Sequence, residues 1–391
     1  MDTYIFDAVR TPRGKARPDG GLADLKPHAL VGQLIAALDE HTPGAAAQAE
    51  ALVLGCVGQI GDQGANVALI TKLHAGLPQD TTAWTLNNYC VSGLTAIGQA
   101  AAQIAAGQTR CALAGGVEMM SRVGFMADQA GYYTDPDMPA QARYVPVAAA
   151  ADRLAQRWGL TRGELDEAAH RSQARAVAAE ADPRLNTSRI PIRSPDGKVL
   201  NRDECIRLAS LETLAGLEPA FGALKTSYAE ALGDVDFAPM HTIAHAPPMC
   251  DGAGLALVGA QGAFDRTPRA RIVAYAEAGG DPAESLGAGF TAMARVLKAS
   301  GLQLSDFDRI EFMEAFGATI AHFLRAFEAD PARVNVAGGH IARGHPLGAS
   351  GAILLSTLLD NLEAAGGRLG LVVTTGASGV GAAMILELQD A

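Results

Sequence analysis

One order of strands, helices and glycine breaks occurs twice along this chain, and that repetition constrains its fold more than any other feature. In the first pass Tyr4–Val9 reads as a strand closed by Arg10-Thr11-Pro12-Arg13-Gly14, Ala29–Asp39 as a helix and Ala51–Val57 as a buried strand. A Gly58–Gly64 loop, an Asn66–Ala75 helix, an Ala83–Asn87 strand, a Cys90–Gly107 helix and an Arg110–Ala114 strand ending at Gly115-Gly116 follow. The second pass gives strand Arg271–Ala276, helix Phe290–Ser300, strand Arg309–Phe312, helix Gly317–Phe327, strand Val334–Val336, helix Ala349–Ala365 and strands Leu369–Thr374 and Ala382–Leu388. The matching last strand of the first pass, Gly254–Ala260, comes only after Asp251-Gly252-Ala253. The expected organisation is therefore one half over 1–117 plus 251–265, an inserted loop domain over 118–250 and a second half over 266–391. Alternating strands and helices make this an α/β chain, its mostly parallel sheets covered by helices on both faces.

The 391 residues, 49% of them hydrophobic, are enough for one large core or two packed domains. Gly is frequent, at 44, and aromatics make up only 5%, which suits elements packed backbone to backbone. A net charge of −11 argues against nucleic acid as the main partner. Cys56, Cys90, Cys111, Cys205 and Cys250 are scattered, with no CxxC pair and no zinc-like spacing. Such a sparse, odd set fits a reducing, cytoplasmic setting without structural disulfides or a bound metal. The N-terminus lacks a basic region followed by an apolar one, and no uninterrupted apolar stretch reaches about 18 residues. Neither a signal peptide nor a membrane span is expected.

Two segments carry chemistry. Thr85-Leu-Asn-Asn-Tyr-Cys90-Val-Ser-Gly93 runs from strand into helix, with Cys90 where the helix should begin. Helix-start N–H groups and the positive end of the dipole favour thiolate, so a lowered cysteine pKa is expected there. A small buried hydrophobe is the competing role for a single cysteine. The counterpart in the second half is Gly338-Gly339-His340-Ile-Ala-Arg343-Gly344-His345-Pro346-Leu-Gly348-Ala-Ser-Gly351. Glycines this dense bring backbone against a ligand or other backbone, and imidazole is the natural base for a facing thiol, which favours His345. In the insertion, Thr161-Arg-Gly-Glu164 fits a capping box at the start of a helix over 162–179. The stretch Asp182–Arg202 carries Arg184, Arg189, Arg193, Lys198 and Arg202, either an anion-binding region or a solvated loop.

These pieces together resemble the thiolase family over essentially the whole chain. The segments carrying the resemblance are Ala8-Val-Arg-Thr-Pro12, Asn88-Tyr-Cys90-Val-Ser-Gly93-Leu, Ala114-Gly-Gly-Val-Glu118-Met-Met-Ser121, Asp251-Gly-Ala253, Glu311-Phe-Met-Glu314-Ala-Phe316 and Gly338 to Gly351. The resemblance implies a thiolase fold of two duplicated βαβαβαββ halves in an α-β-α-β-α layering with an inserted loop domain. It implies a homodimer or homotetramer that takes a coenzyme A thioester as substrate and keeps no cofactor permanently. By the same carry-over Cys90 is the acylated nucleophile, His345 activates it, and Gly381 with the Cys90 backbone N–H forms one oxyanion hole. Arg207 matches a family arginine near the coenzyme's nucleotide.

The departures fall in the second half-reaction. Thr375 stands where the family has a second cysteine that moves the α-proton, and a hydroxyl is a poor base for a carbon acid. Met313 stands where an Asn or His holds the water of another oxyanion hole, and it donates no hydrogen bond. Pro247 replaces a serine that contacts the pantetheine arm, and His340 takes the place of a small residue. Three explanations stay open: His340 takes over as base; the chain runs only acyl transfer or thioester hydrolysis; or Cys250 or another thiol fills the role. The expected function is acyl transfer from a coenzyme A thioester to Cys90 and then to or from a second coenzyme A species, in thiolysis or condensation. The alternative is a thiolase-like protein that only binds, transfers or hydrolyses acyl-CoA, or acts as a partner subunit. A ketoacyl-synthase-like condensing enzyme, with one cysteine and two histidines, is the lesser option.

Overall fold

The computed structural model describes residues 2–233 and 236–390. Nine strands carry the fold: β1 (Thr3–Arg10), β2 (Ala51–Gly55), β3 (Thr82–Leu86), β4 (Cys111–Met119), β5 (Cys250–Ala260), β6 (Ala270–Gly279), β7 (Arg309–Phe312), β8 (Leu369–Gly376) and β9 (Val380–Leu388). A two-residue strand, Gly14–Lys15, adds to the edge of β5. The main helices are α1 (Pro27–His41), α2 (Val67–Ala75), α3 (Ser92–Ala105), α4 (Val147–Arg157), α5 (Arg162–Glu180), α6 (Ala288–Ser300), α7 (Gly317–Ala326) and α8 (Ser350–Ala365).

The duplication is visible in the strand order. The first half runs β3-β2-β4-β5-β1, with β2 parallel to β3 and β4, and β5 antiparallel to both β4 and β1. The second half repeats it as β7-β8-β9-β6, with β7 parallel to β8 and β9 antiparallel to β8 and β6. The strand expected over 334–336 shrinks to a single parallel bridge from Val334 to Ile310, at the position β3 holds in the first half. Tyr4 and Ile5 pair with Arg271 and Ala270, joining β1 to β6 and the two halves into one sheet.

Period-two alternation decides which layer each side chain enters. In the first half Leu52, Leu54, Leu113, Leu255 and Leu257 face out and pack on Leu30, Leu34 and Leu38 of α1. Their neighbours Ala112, Ala114, Ala256 and Val258 face the centre, against α3 and α8. In the second half Val372, Ala382 and Met384 close the centre from the other side, while Leu371, Val373 and Ile385 face α6 and α7. The layers are thus α-β-α-β-α, with α3 and α8 sandwiched between the half-sheets. Small residues line that middle layer because two helices must fit between two sheets.

The same need sets where α3 and α8 cross. A Cβ on Gly93 would lie 2.7 Å from the Gly348 carbonyl oxygen, and one on Gly351 2.5 Å from the Leu94 nitrogen. Only hydrogen fits at either position, so the segments preceding the two helices meet. Those segments carry Cys90 and His345. The connection between β4 and β5 supplies α4 and α5, and the capping box at Thr161 and Glu164 forms as its sequence predicts. Among the described residues no helix is long and apolar enough to cross a membrane.

Candidate active site

Cys90 sits in a turn, not at the helix start. The Asn88 N–H donates to Ser92 Oγ at 2.8 Å, the Ser92 hydroxyl donates to the Tyr89 carbonyl at 2.6 Å, and Tyr89 takes φ 47°. Helix α3 begins only at Ser92, two residues on. The expected lowering of the thiol pKa is therefore corrected. Burial pushes Cys90 up to about 12, outweighing the N–H of Ala377 and its own N–H, both of which reach the sulfur. At rest this is a thiol.

His345 is held from several sides. Its Nδ1 lies 2.7 Å from Ser350 Oγ, in the first turn of α8. In the tautomer whose Nδ1–H donates to Ser350, Nε2 is left to take a proton. Burial, with a contribution from Arg13, lowers its pKa to about 3, so the ring is neutral. Buried carboxylates fix the loop around it. Glu314 accepts from the Ser172 hydroxyl, Asn335 Nδ2 and the Ile341 N–H. Arg343 reaches the Ala337 carbonyl, Glu180 and Asp203. Glu118 accepts from the Val57 and Gly58 N–H groups of one half and the Gly348 N–H of the other, at 2.9 to 3.0 Å. One carboxyl group thus clips both glycine-rich loops together; burial still raises its pKa, although hydrogen bonds from Val57, Gly58, Gly348 and Gln63 offset part of that cost.

Cys90 and His345 both line one cavity of about 620 Å³. Arg207 and Pro247 line it too, as does Ala377. The segment bearing Pro247 is braced by two buried imidazoles. His241 Nδ1 meets Asp152 at 2.6 Å while its Nε2 accepts the Ala318 N–H. His245 Nε2 meets Asp166 at 2.7 Å while its Nδ1 accepts the Thr242 N–H.

Five residues singled out from the sequence are not on the cavity wall. Gly381 lies inside β9, paired with Thr375 and Ala278, and a Cβ on it would run into the backbone of Ala288 and Gly289. The backbone donor beside Cys90 is Ala377, so Gly381 is corrected as an oxyanion-hole residue. Thr375 is buried with its hydroxyl donating to the Leu286 carbonyl at 2.7 Å. Met313 is buried in the central apolar cluster that holds Leu94 and Leu355. His340 is fully buried, edge-on to His345 at 4.9 Å between ring centres, with neither ring nitrogen hydrogen-bonded. Cys250 is likewise buried and contacts Cys205. The basic stretch does not converge: Arg184, Arg189 and Lys198 pair with Asp182, Glu180 and Asp196.

Ala377, Ser350 and the two aspartate-braced histidines are the site residues that sequence reasoning missed. Ala377 acts through its backbone, and Asp152 and Asp166 meet their histidines from 89 and 79 residues away, so neither leaves a local pattern. Ser350 was visible five residues after His345, the spacing of one helical turn beyond a tight loop.

A thiol and a neutral imidazole facing an apolar cavity, each delivered by one half of a doubled α/β frame, suit acyl transfer through a cysteine thioester. Residues 3–235 match the model of the thiolase N-terminal domain and residues 266–388 that of the thiolase C-terminal domain. The chain is 35% identical to a β-ketoadipyl-CoA thiolase of Pseudomonas putida, covering 99% of both proteins. It is 34% identical to an acetyl-CoA acetyltransferase of Shinella zoogloeoides, with 98% of each covered, and 32% identical to a steroid 3-ketoacyl-CoA thiolase of Mycobacterium tuberculosis, with 99% of this chain and 94% of that one covered. The chain belongs to the thiolase family. It is an enzyme, an acyltransferase of thiolase type.

Proposed function

We propose that Cys90 takes the acyl group of a coenzyme A thioester. Its sulfur attacks the carbonyl carbon, the thiol proton passes to His345, and the same proton leaves with the coenzyme's sulfur as the C–S bond breaks. The observation carrying this reading is that Cys90 and His345, from opposite halves, share one cavity with Ala377. The N–H groups of Ala377 and Cys90 hold the oxyanion of the tetrahedral intermediate, donors of a kind each worth about 3 kcal/mol in the barrier. Arg207 at the mouth takes the coenzyme's phosphates and Pro247 lies along its pantetheine arm.

For the second half-reaction neither Thr375, with its hydroxyl spent on Leu286, nor His340, behind the wall, is offered to a ligand. His345 is the imidazole that the cavity presents. It serves both halves: neutral again once the first coenzyme A has left, it exchanges the α-proton of the second thioester. A base with so low a pKa is weak, so carbon–carbon chemistry runs slower than acyl exchange. The braces around Glu118, Glu314 and Arg343 serve positioning. The protein is read as a cytoplasmic homo-oligomer that holds coenzyme A species as substrates and no resident cofactor.

The test is exchange of labelled coenzyme A into acetyl-CoA beside thiolysis of acetoacetyl-CoA. Both should depend on Cys90, with exchange the faster. Exchange that survives Cys90→Ala would remove the proposal.

A further inference from the structure

Acting on the thioester chemistry proposed above, the cavity selects its acyl group by charge. One wall of the cavity comes from 120–147 and 221–228 and is rich in aromatic and thioether side chains, with Tyr133 tilted against Tyr144 at 4.9 Å and Tyr144 edge-on to Tyr228 at 6.3 Å between ring centres. The hydroxyls of Tyr133 and Tyr144 are occupied from within the wall. The Tyr133 hydroxyl donates to Asp128 at 3.0 Å, and the Tyr144 hydroxyl to the Met126 sulfur at 3.8 Å. Glu118 has its oxygens filled by backbone and by Gln63. Among the described residues Arg207 is the one Lys or Arg side chain lining the cavity, and it is exposed. The remaining charged groups of the lining, Asp128 and Glu118, are acidic.

We infer that the acyl site takes a neutral, apolar acyl chain longer than acetyl and rejects an ω-carboxylated one. An added methylene moves from water onto apolar wall and gains rate. A terminal carboxylate against the 120–147 wall would meet Asp128 and no cation, with the Tyr133 and Tyr144 hydroxyls already donating and the lining's unpaired donor, Gln173 Nε2, on the separate helix α5, and would be stripped of water without replacement. The inference separates this chain from a relative whose name specifies β-ketoadipyl-CoA, a dicarboxylic thioester.

The test measures second-order rates of Cys90 acylation by acetyl-, butyryl-, octanoyl- and succinyl-CoA, read as adduct mass on the full-length protein. Rates should rise about fourfold per added methylene over the first few carbons, from ~0.8 kcal/mol per buried methylene. Succinyl-CoA, with the same four carbons as butyryl-CoA, should react at least about a hundredfold more slowly. Met126→Arg places a cation in the wall and should shift the succinyl-to-butyryl ratio at least about tenfold toward succinyl. Succinyl-CoA reacting as fast as butyryl-CoA, with an acetyl adduct still forming on Cys90, overturns the inference and leaves the acyltransferase reading standing. No adduct from any of the four removes both.

Discussion

The hydroxyl of Thr375 donates to the carbonyl of Leu286 at 2.7 Å, and on the proposed mechanism this commitment keeps Thr375 out of proton transfer. The donor is committed to a backbone acceptor in a buried site, and Thr375 is not on the cavity wall. Thr375→Val should leave a buried carbonyl unpaired and cost about 1–3 kcal/mol of stability. The rate of Cys90 acylation should change less than about threefold. Chemical denaturation paired with adduct formation checks both, and a hundredfold loss of acylation in a folded variant would make Thr375 catalytic.

Gly351→Ala should act through the helix crossing. Its Cβ would stand 2.5 Å from backbone of α3, which cannot yield without moving the Cys90 turn. Overpacking of this kind costs about 1–3 kcal/mol. We expect a lower melting temperature together with at least about tenfold slower acylation, because a displacement near 1 Å at reacting atoms is costly. Normal acylation in a destabilised variant would show that the crossing does not set the Cys90–His345 geometry.

Ser350→Ala removes the partner of His345 Nδ1 at little change in volume. It should slow acylation about 10- to 100-fold while butyryl- and acetyl-CoA keep their relative rates, because the ring's orientation and tautomer are lost and the acyl wall is not. Rescue by Ser350→Thr would tie the effect to the hydroxyl.

The pH dependence follows from the resting thiol and neutral imidazole. Alkylation of Cys90 by iodoacetamide should keep rising through pH 9 toward about 12, with no plateau near neutrality of the sort a thiolate–imidazolium pair gives. Stability also increases with pH, but over a lower range. His345 and His245 fall to about 3 and about 4, and His340 lies well below its ordinary 6.5, all chiefly through burial. The unfolded chain therefore binds protons that the folded chain refuses, so stability is full above about 6.5 and falls as pH drops toward the folded values, by up to ~1.4 kcal/mol per pH unit per group. His340→Ala should flatten that fall by about one group's share between pH 5 and 6, measured by denaturation at each pH.

Much of this was legible in the sequence. The twice-repeated order of elements foretold the two halves and their shared strand order, and the glycines around Cys90 and His345 foretold close backbone approach. Thr161 and Glu164 announced their capping box. Reading failed where the deciding term was burial or backbone. The favourable position of Cys90 near a helix was visible, but the desolvation that overrides it depends on a cavity built from distant segments. Gly381 was carried over from the family resemblance, whereas the strand ends at Gly376 and turns, which puts the N–H of Ala377 at the sulfur. The density of basic residues over 182–202 was visible, but not that Arg184, Arg189 and Lys198 each pair with a nearby acid.

The central claim is that Cys90 carries the acyl group. Protein incubated with acetyl-CoA, quenched in acid and digested should show one added acetyl group on the peptide containing Cys90, removed on addition of free coenzyme A and absent from Cys90→Ala. An acetyl group on any other residue, or no adduct with the wild-type chain, contradicts the account.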